Sequence, residues 1–223
     1  MKSAKKAGRT IGVLLLLQLA AGLTFPFILM RPLVAGAPSF LTAAAENAAQ
    51  IRAGVFLAFV GSALTIGLGI KAFPVFRRYS GTLALWFPVV CVISGVLDAV
   101  HGATALAMLS LSREFGGATA DLDRYYAVGA GAAALRRSAH IVQLIGIGAW
   151  ISIFYAACLR FALVPRALAV LGLVGIALQF SGVTLMMFLG SGVIGALAVP
   201  MLPIQITTAV WLIIKGFREE KYV

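Results

Sequence analysis

The chain has 223 residues, of which 61% are hydrophobic and 11% charged, whereas about a quarter of the residues in soluble domains are charged. This composition excludes a soluble enzyme and leaves little sequence for a catalytic domain outside a membrane. The net charge of +11 does not indicate a nucleic-acid partner, because the basic residues stand at the ends of apolar runs.

The first apolar segment covers residues 11–30 and contains no charged residue. It follows a basic N-terminus, as the apolar core of a signal peptide does, but such a core is shorter. A helix needs about 20 residues to cross the hydrocarbon core of a bilayer. We interpret this segment as an uncleaved first transmembrane helix.

Charged residues delimit the further apolar segments. The uncharged run 167–214 is too long for one crossing, and "GSGVIG" at 190–195, followed by Pro200 and Pro203, divides it. Gly172 and Gly175 in this run are predicted to allow close helix packing. The sequence therefore predicts an all-α, polytopic membrane bundle that forms a single domain over residues 1–223. Its six transmembrane helices are predicted at about 11–30, 53–70, 83–111, 139–159, 167–189 and 196–214.

Two connections are long enough to carry structure of their own. The stretch "SFLTAAAENAAQIR" predicts a helix that is capped at Ser39 and runs into the second span. The stretch "AVGAGAAALRRSA" predicts a helix that leads into the fourth span.

The distribution of lysine and arginine predicts the orientation. Twelve of these residues lie on the side of the two termini: Lys2, Lys5, Lys6, Arg9, Lys71, Arg77, Arg78, Arg160, Arg166, Lys215, Arg218 and Lys221. The opposite side holds six: Arg31, Arg52, Arg113, Arg124, Arg136 and Arg137. Because cytoplasmic loops carry the excess of basic residues, we predict that both termini are cytoplasmic.

The third span contains an aspartate and a histidine in "VISGVLDAVHGATA", residues 92–105. On a helix Cys91, Ser94, Asp98, His101 and Ala105 share one face. Lipid cannot form a hydrogen bond with a carboxylate, so this face is expected to point into the bundle. An acidic residue within a membrane is a candidate functional residue, and we single out Asp98.

The fourth span begins with "RRSAHIVQ", which places His140 and Gln143 on one helix face near the same outer end. We expect one outward-opening ligand cavity lined by the polar residues of both spans, namely Asp98, His101, His140, Gln143 and Ser94. The structural alternative is that Asp98 pairs with Arg137 or a hydroxyl group, and that the histidines only join helices.

Cofactor sites find little support in the sequence. Haem would need His101 and His140 facing each other at one depth. Zinc would need a further ligand beyond His101, His140 and Asp98, or an open position. Retinal is disfavoured because no lysine lies mid-span, and no nucleotide-binding or nucleophile motif is present. We predict no metal and no cofactor. Cys91 and Cys158 lie in apolar runs and are expected to be buried free thiols.

Three stretches together resemble a bacterial membrane family, domain of unknown function 4386: "NAAQIRAGVFLAFVGSALTIGLGIKAFPVFRR", "VPRALAVLGLVGIAL" and "TTAVWLIIKGF". The resemblance implies a six-helix protein of the bacterial inner membrane and no established activity. It also implies an acidic residue in the third span, where glutamate is commoner than the Asp98 found here. An arginine tends to precede that residue by one turn, and Gly95 stands in its place, so His101 or an arginine of span four is expected to neutralise Asp98.

Three functions are compatible with these features. The first is a non-enzymatic protein that binds or moves a small, largely apolar ligand or lipid, with Asp98 as the polar anchor. The second is a membrane enzyme acting on a lipid or isoprenoid, with Asp98 as general acid and His101 assisting it. The third is a structural or interaction subunit. The bilayer is the expected partner, and a homo-oligomer is compatible with the sequence.

Overall fold

The computed structural model describes residues 2–34, 39–116, 121–190 and 192–218, without the side chains of residues 2, 3 and 194, and this part of the chain contains no β-strand. Its helices are α1 (Lys2–Thr24), a π-helical turn (Phe25–Leu29), α2 (Arg31–Val34), α3 (Ser39–Glu46), α4 (Ala48–Phe76), α5 (Gly81–Gly116), α6 (Leu122–Arg160), α7 (Arg166–Leu189), α8 (Ile194–Ala198) and α9 (Met201–Lys215).

Six helical segments in the described residues are long and apolar enough to cross a membrane, which confirms the predicted all-α class and number of spans. They are Ala4–Leu29, Ala48–Phe76, Gly81–Gly116, Leu122–Arg160, Arg166–Leu189 and Gly195–Lys215. Several extend well past the predicted bounds, because the helices continue through the charged residues that delimit the apolar runs. These segments fit an integral membrane protein.

The predicted connecting helices are present. Helix α3 begins at Ser39, and only Asn47 separates it from α4. The backbone N–H of Asn47 donates to the oxygen of Ala43 at 3.2 Å, and that of Ile51 donates to the oxygen of Asn47 at 3.1 Å. The second predicted connecting helix forms the first part of α6. Residues 35–38 lie outside the described part of the chain.

The chain divides into two compact units. Unit 1 comprises Met1–Leu19, Ser62–Gly95 and Leu144–Val223, and unit 2 comprises Ala20–Gly61 and Val96–Gln143. The membrane-spanning segments are shared between the units, because the first four spans each contribute residues to both.

The core of unit 1 is aromatic and closely packed. Tyr155 is 2% exposed, and its hydroxyl group donates to Oγ1 of Thr208 at 3.1 Å. A Cβ atom at Gly172 would overlap the Tyr155 ring, so this glycine allows close helix packing as predicted. Cys91 and Cys158 are buried and free, which also agrees with the prediction.

Unit 2 is held together by an apolar cluster and by polar links between its helices. The hydroxyl of Ser112 on α5 donates to the oxygen of Leu41 at 2.6 Å and accepts from the N–H of Ala45 at 2.8 Å. The side chain of Gln50 on α4 donates to the oxygen of Ile28 at 2.8 Å. The Leu41 oxygen and the Ala45 N–H lie four residues apart in α3, so the Ser112 hydroxyl contacts both backbone groups of one helical turn. The Ile28 oxygen lies at the end of the π-helical turn, where intrahelical partners are lacking.

Candidate functional site

The polar face of α5 points into the protein, as predicted. Four of the five residues on this face are at most 2% exposed, and the fifth, Asp98, is half-buried. The valine and isoleucine side chains between them are exposed. The buried residues are Cys91, Ser94, His101 and Ala105, and the exposed ones are Val92, Ile93, Val96 and Val100. This division is expected in lipid, which leaves apolar side chains outside and drives polar ones inward.

A chain of hydrogen bonds joins α5 to α6 within unit 2. The Nε2 atom of Gln143 donates to Oδ1 of Asp98 at 2.8 Å. The Oε1 atom of the same amide lies 3.0 Å from Nδ1 of His140. Gln143 is 6% exposed whereas Asp98 and His140 are half-buried, so both contacts are partly shielded from solvent. The structure thus brings together three of the residues that the sequence singled out.

The direction of these bonds determines the tautomer of His140. With its amide nitrogen turned to Asp98, Gln143 presents an oxygen to His140, and an oxygen can only accept. An ionised Asp98 can only accept from the Gln143 amide, and with this acceptor the Nδ1 atom of His140 carries the proton. In a neutral imidazole the other ring nitrogen, Nε2, is then an acceptor.

His101 lies against this chain close to Gln143, but its ring nitrogens do not meet the geometry of a hydrogen bond. Its ring centroid is 5.1 Å from that of His140 and 5.6 Å from that of Phe25, whose ring is nearly perpendicular to it at 82°. His101 is 2% exposed, yet among the described residues neither of its ring nitrogens has a hydrogen-bond partner. A buried polar group without a partner costs about 1–3 kcal/mol. A hydrogen bond to a neighbouring helix therefore does not explain why the His101 imidazole is buried.

Arg136 contributes a positive charge to the same region. It precedes His140 by one turn of α6, and its charge acts on both His101 and His140. Its Nε atom is buried and has no hydrogen-bond partner in the described part of the chain. Arg137, by contrast, is exposed. Of Arg136 and Arg137 at the start of the fourth span, Arg136 is thus the one near the histidines.

Four of the five predicted ligand-binding residues belong to unit 2, namely Asp98, His101, His140 and Gln143. Ser94 is 1% exposed and belongs to unit 1, and its place in a ligand site stays a prediction. Sequence reasoning missed Phe25. Nothing in its apolar surroundings marks it, because its contact with His101 depends on how the first span packs against the third.

The geometry of the two histidines does not suit haem. Their rings are in contact, which leaves no room for a macrocycle between them. Within residues 2–34, 39–116, 121–190 and 192–218, no group of three or more His, Cys, Asp or Glu residues could hold a metal ion. The arrangement is suited to hydrogen bonding with a small polar group.

The chain belongs to the family described as domain of unknown function 4386, whose sequence model matches residues 10–216. This match confirms the resemblance that three stretches of the sequence suggested. No curated protein and no solved structure matches the chain. The family description assigns no activity, so a function has to be argued from the site.

Proposed function

We propose that this family member binds or moves a small, largely apolar ligand in unit 2, and that the polar end of the ligand hydrogen-bonds to His101. The supporting observation is that His101 is 2% exposed while neither ring nitrogen has a partner among the described residues. Asp98 anchors the site, because it fixes the orientation of Gln143, and Gln143 fixes that of His140.

The chemistry of His101 favours an alcohol or a carbonyl compound as the ligand. A neutral imidazole has one N–H donor and one acceptor nitrogen, and a hydroxyl group complements both. The surroundings favour an apolar body: Phe25 packs edge-on against the imidazole, and Val55 lies close to Gly102, the next residue on α5. A ligand that supplies the missing hydrogen-bond partners offsets part of the free energy lost by burying the His101 imidazole.

The alternative is a membrane enzyme acting on a lipid or isoprenoid with Asp98 as general acid. The hydrogen-bonded chain from Asp98 to His140, next to His101, is the observation in its favour. However, the group between Asp98 and His140 is an amide, which orients its neighbours but is a poor carrier of protons. His140 therefore cannot return a proton to Asp98 through Gln143, and a catalytic cycle would need another route for that proton, which favours ligand binding.

The experiment compares wild type with His101→Phe and with Thr104→Val as the matched control. Thr104 lies one turn further along α5, is 9% exposed, and donates its hydroxyl to the backbone oxygen of His101 at 2.7 Å. Each purified protein is incubated with a lipid extract from the source membrane, and the retained molecules are identified by mass spectrometry. We expect wild type and Thr104→Val to retain a ligand that His101→Phe loses.

The stability of the ligand-free proteins separates function from structure. Phenylalanine removes the unpartnered imidazole, so ligand-free His101→Phe should be at least as stable as wild type. Chemical conversion of the bound molecule would indicate the alternative function, a membrane enzyme. No retained molecule in any protein, together with a destabilised His101→Phe variant, would instead indicate a structural or interaction subunit and refute the proposal.

The proposed setting is the bacterial inner membrane, with both termini cytoplasmic and the lipid bilayer as the partner. The twelve-to-six distribution of basic residues supports this orientation. A single domain over residues 1–223 and the absence of a nucleic-acid partner stay predictions, and a homo-oligomer remains compatible with the chain.

A further inference from the structure

A basic pocket lies in unit 1, where α9 ends beside the start of α1. It has a volume of about 280 Å³ and is lined by Lys5, Trp211, Lys215, Gly216, Phe217 and Arg218. Three of these six residues are cationic and two are aromatic. The proposed ligand site in unit 2 shares none of them, so the pocket is a separate feature.

The backbone that forms the pocket is held in place by close contacts. Gly216 ends α9 with φ 71°, and a Cβ atom there would lie 2.6 Å from the backbone oxygen of Lys5. Both the dihedral angle and the space thus require glycine. The next residue, Phe217, is 0% exposed, and the N–H of Arg218 donates to the oxygen of Leu163 at 2.8 Å. The segment is therefore positioned before any ligand arrives.

One cationic side chain of the pocket packs against an aromatic ring. The guanidinium carbon of Arg218 lies 5.5 Å from the centroid of the Trp211 ring, within the range of a cation–π contact. Lys5 and Lys215 are exposed at the same pocket. Glu219 and Glu220 follow in the sequence and lie outside the described residues. Bringing three positive charges together is unfavourable, and an anion in the pocket relieves that repulsion.

We propose that this pocket binds the phosphate group of an anionic phospholipid. Phosphate oxygens accept hydrogen bonds from lysine ammonium groups and from both arms of a guanidinium group. The pocket lies at the ends of two segments that are able to span a membrane, Ala4–Leu29 and Gly195–Lys215. Tryptophan is enriched at the level of the lipid head groups, and basic pockets between spans bind anionic head groups there. This position favours a lipid over free phosphate.

The test measures phosphatidylglycerol binding to the delipidated full-length protein in neutral detergent by native mass spectrometry. The pocket variant is Lys5→Gln/Lys215→Gln/Arg218→Gln. The matched control, Lys71→Gln/Arg77→Gln/Arg78→Gln, removes the same charge from exposed residues of unit 1 outside the pocket. At about fivefold for each basic side chain that contacts the lipid head group, we expect a roughly hundredfold loss for the pocket variant. The control should bind within a few fold of wild type.

Three outcomes would overturn the proposal. One is a pocket variant that binds phosphatidylglycerol as tightly as the control. Another is inorganic phosphate binding more tightly than the lipid, which would assign the pocket to free phosphate. The third is weaker binding by Glu219→Gln/Glu220→Gln, because removing acidic groups next to Arg218 can only favour a phosphate. If the triple pocket variant does not fold, Arg218→Gln alone changes one exposed side chain, and about fivefold weaker binding is then expected.

Discussion

Replacing Gln143 with methionine tests the hydrogen-bonded chain of unit 2 directly. Methionine has a similar length but cannot donate to Asp98 or accept from His140, so the substitution removes both bonds and leaves little empty space. Asp98 and His140 remain half-buried, and each loses one partner. The expected result is a less stable protein with unchanged helix content.

The size of the effect follows from the two bonds. Hydrogen bonds between membrane helices contribute about 0.6 kcal/mol on average, whereas leaving a fully buried group unpaired costs about 1–3 kcal/mol. Because Asp98 and His140 are only half-buried, water compensates for part of the loss. We therefore expect Gln143→Met to lower the free energy of unfolding by about 1–3 kcal/mol.

A double-mutant cycle with Asp98→Ala isolates the bond between the two side chains. Equilibrium unfolding in mixed detergent micelles is measured for wild type, both single variants and the double variant, and a coupling of about 0.5–1.5 kcal/mol is expected. Gln50→Met is the matched control, because Gln50 bonds to the oxygens of Ile28 and Leu29 instead. If the coupling energy between Gln143 and Asp98 is about 0.3 kcal/mol or less, and so no larger than that between Gln50 and Asp98, the hydrogen-bonded chain is refuted.

Two further predictions concern packing and topology. Gly172→Ala should destabilise the protein by about 1–3 kcal/mol in the same unfolding assay, because the added Cβ would overlap an aromatic ring, whereas Gly67→Ala, with nothing within 4 Å, should be neutral or slightly stabilising. A reporter that is active only outside the inner membrane should be silent when fused after Val223 and active when inserted near Ala118, in a segment outside the described residues. The opposite reporter pattern would reverse the proposed orientation.

The sequence by itself determined the membrane-spanning segments and the inward face of α5. Both follow from a local property, because lipid accepts apolar side chains and cannot form a hydrogen bond with Asp98. The sequence also predicted that His140 and Gln143 lie near Asp98, since they share one face of the next span and the same outer end. Helical periodicity and membrane depth are sufficient for predictions of this kind.

The tertiary structure alone decided how these groups are bonded. Gln143 bridges Asp98 and His140, while His101 contacts Phe25 and has no hydrogen-bond partner among the described residues. Side-chain rotamers and the contacts between helices set this pattern, and neither is encoded in hydropathy or spacing. The basic pocket arises in the same way. In the sequence, Lys5 and Arg218 indicate only the orientation of the protein in the membrane. They line one pocket because residues 216–218 fold back onto α1, more than 200 positions away in the sequence.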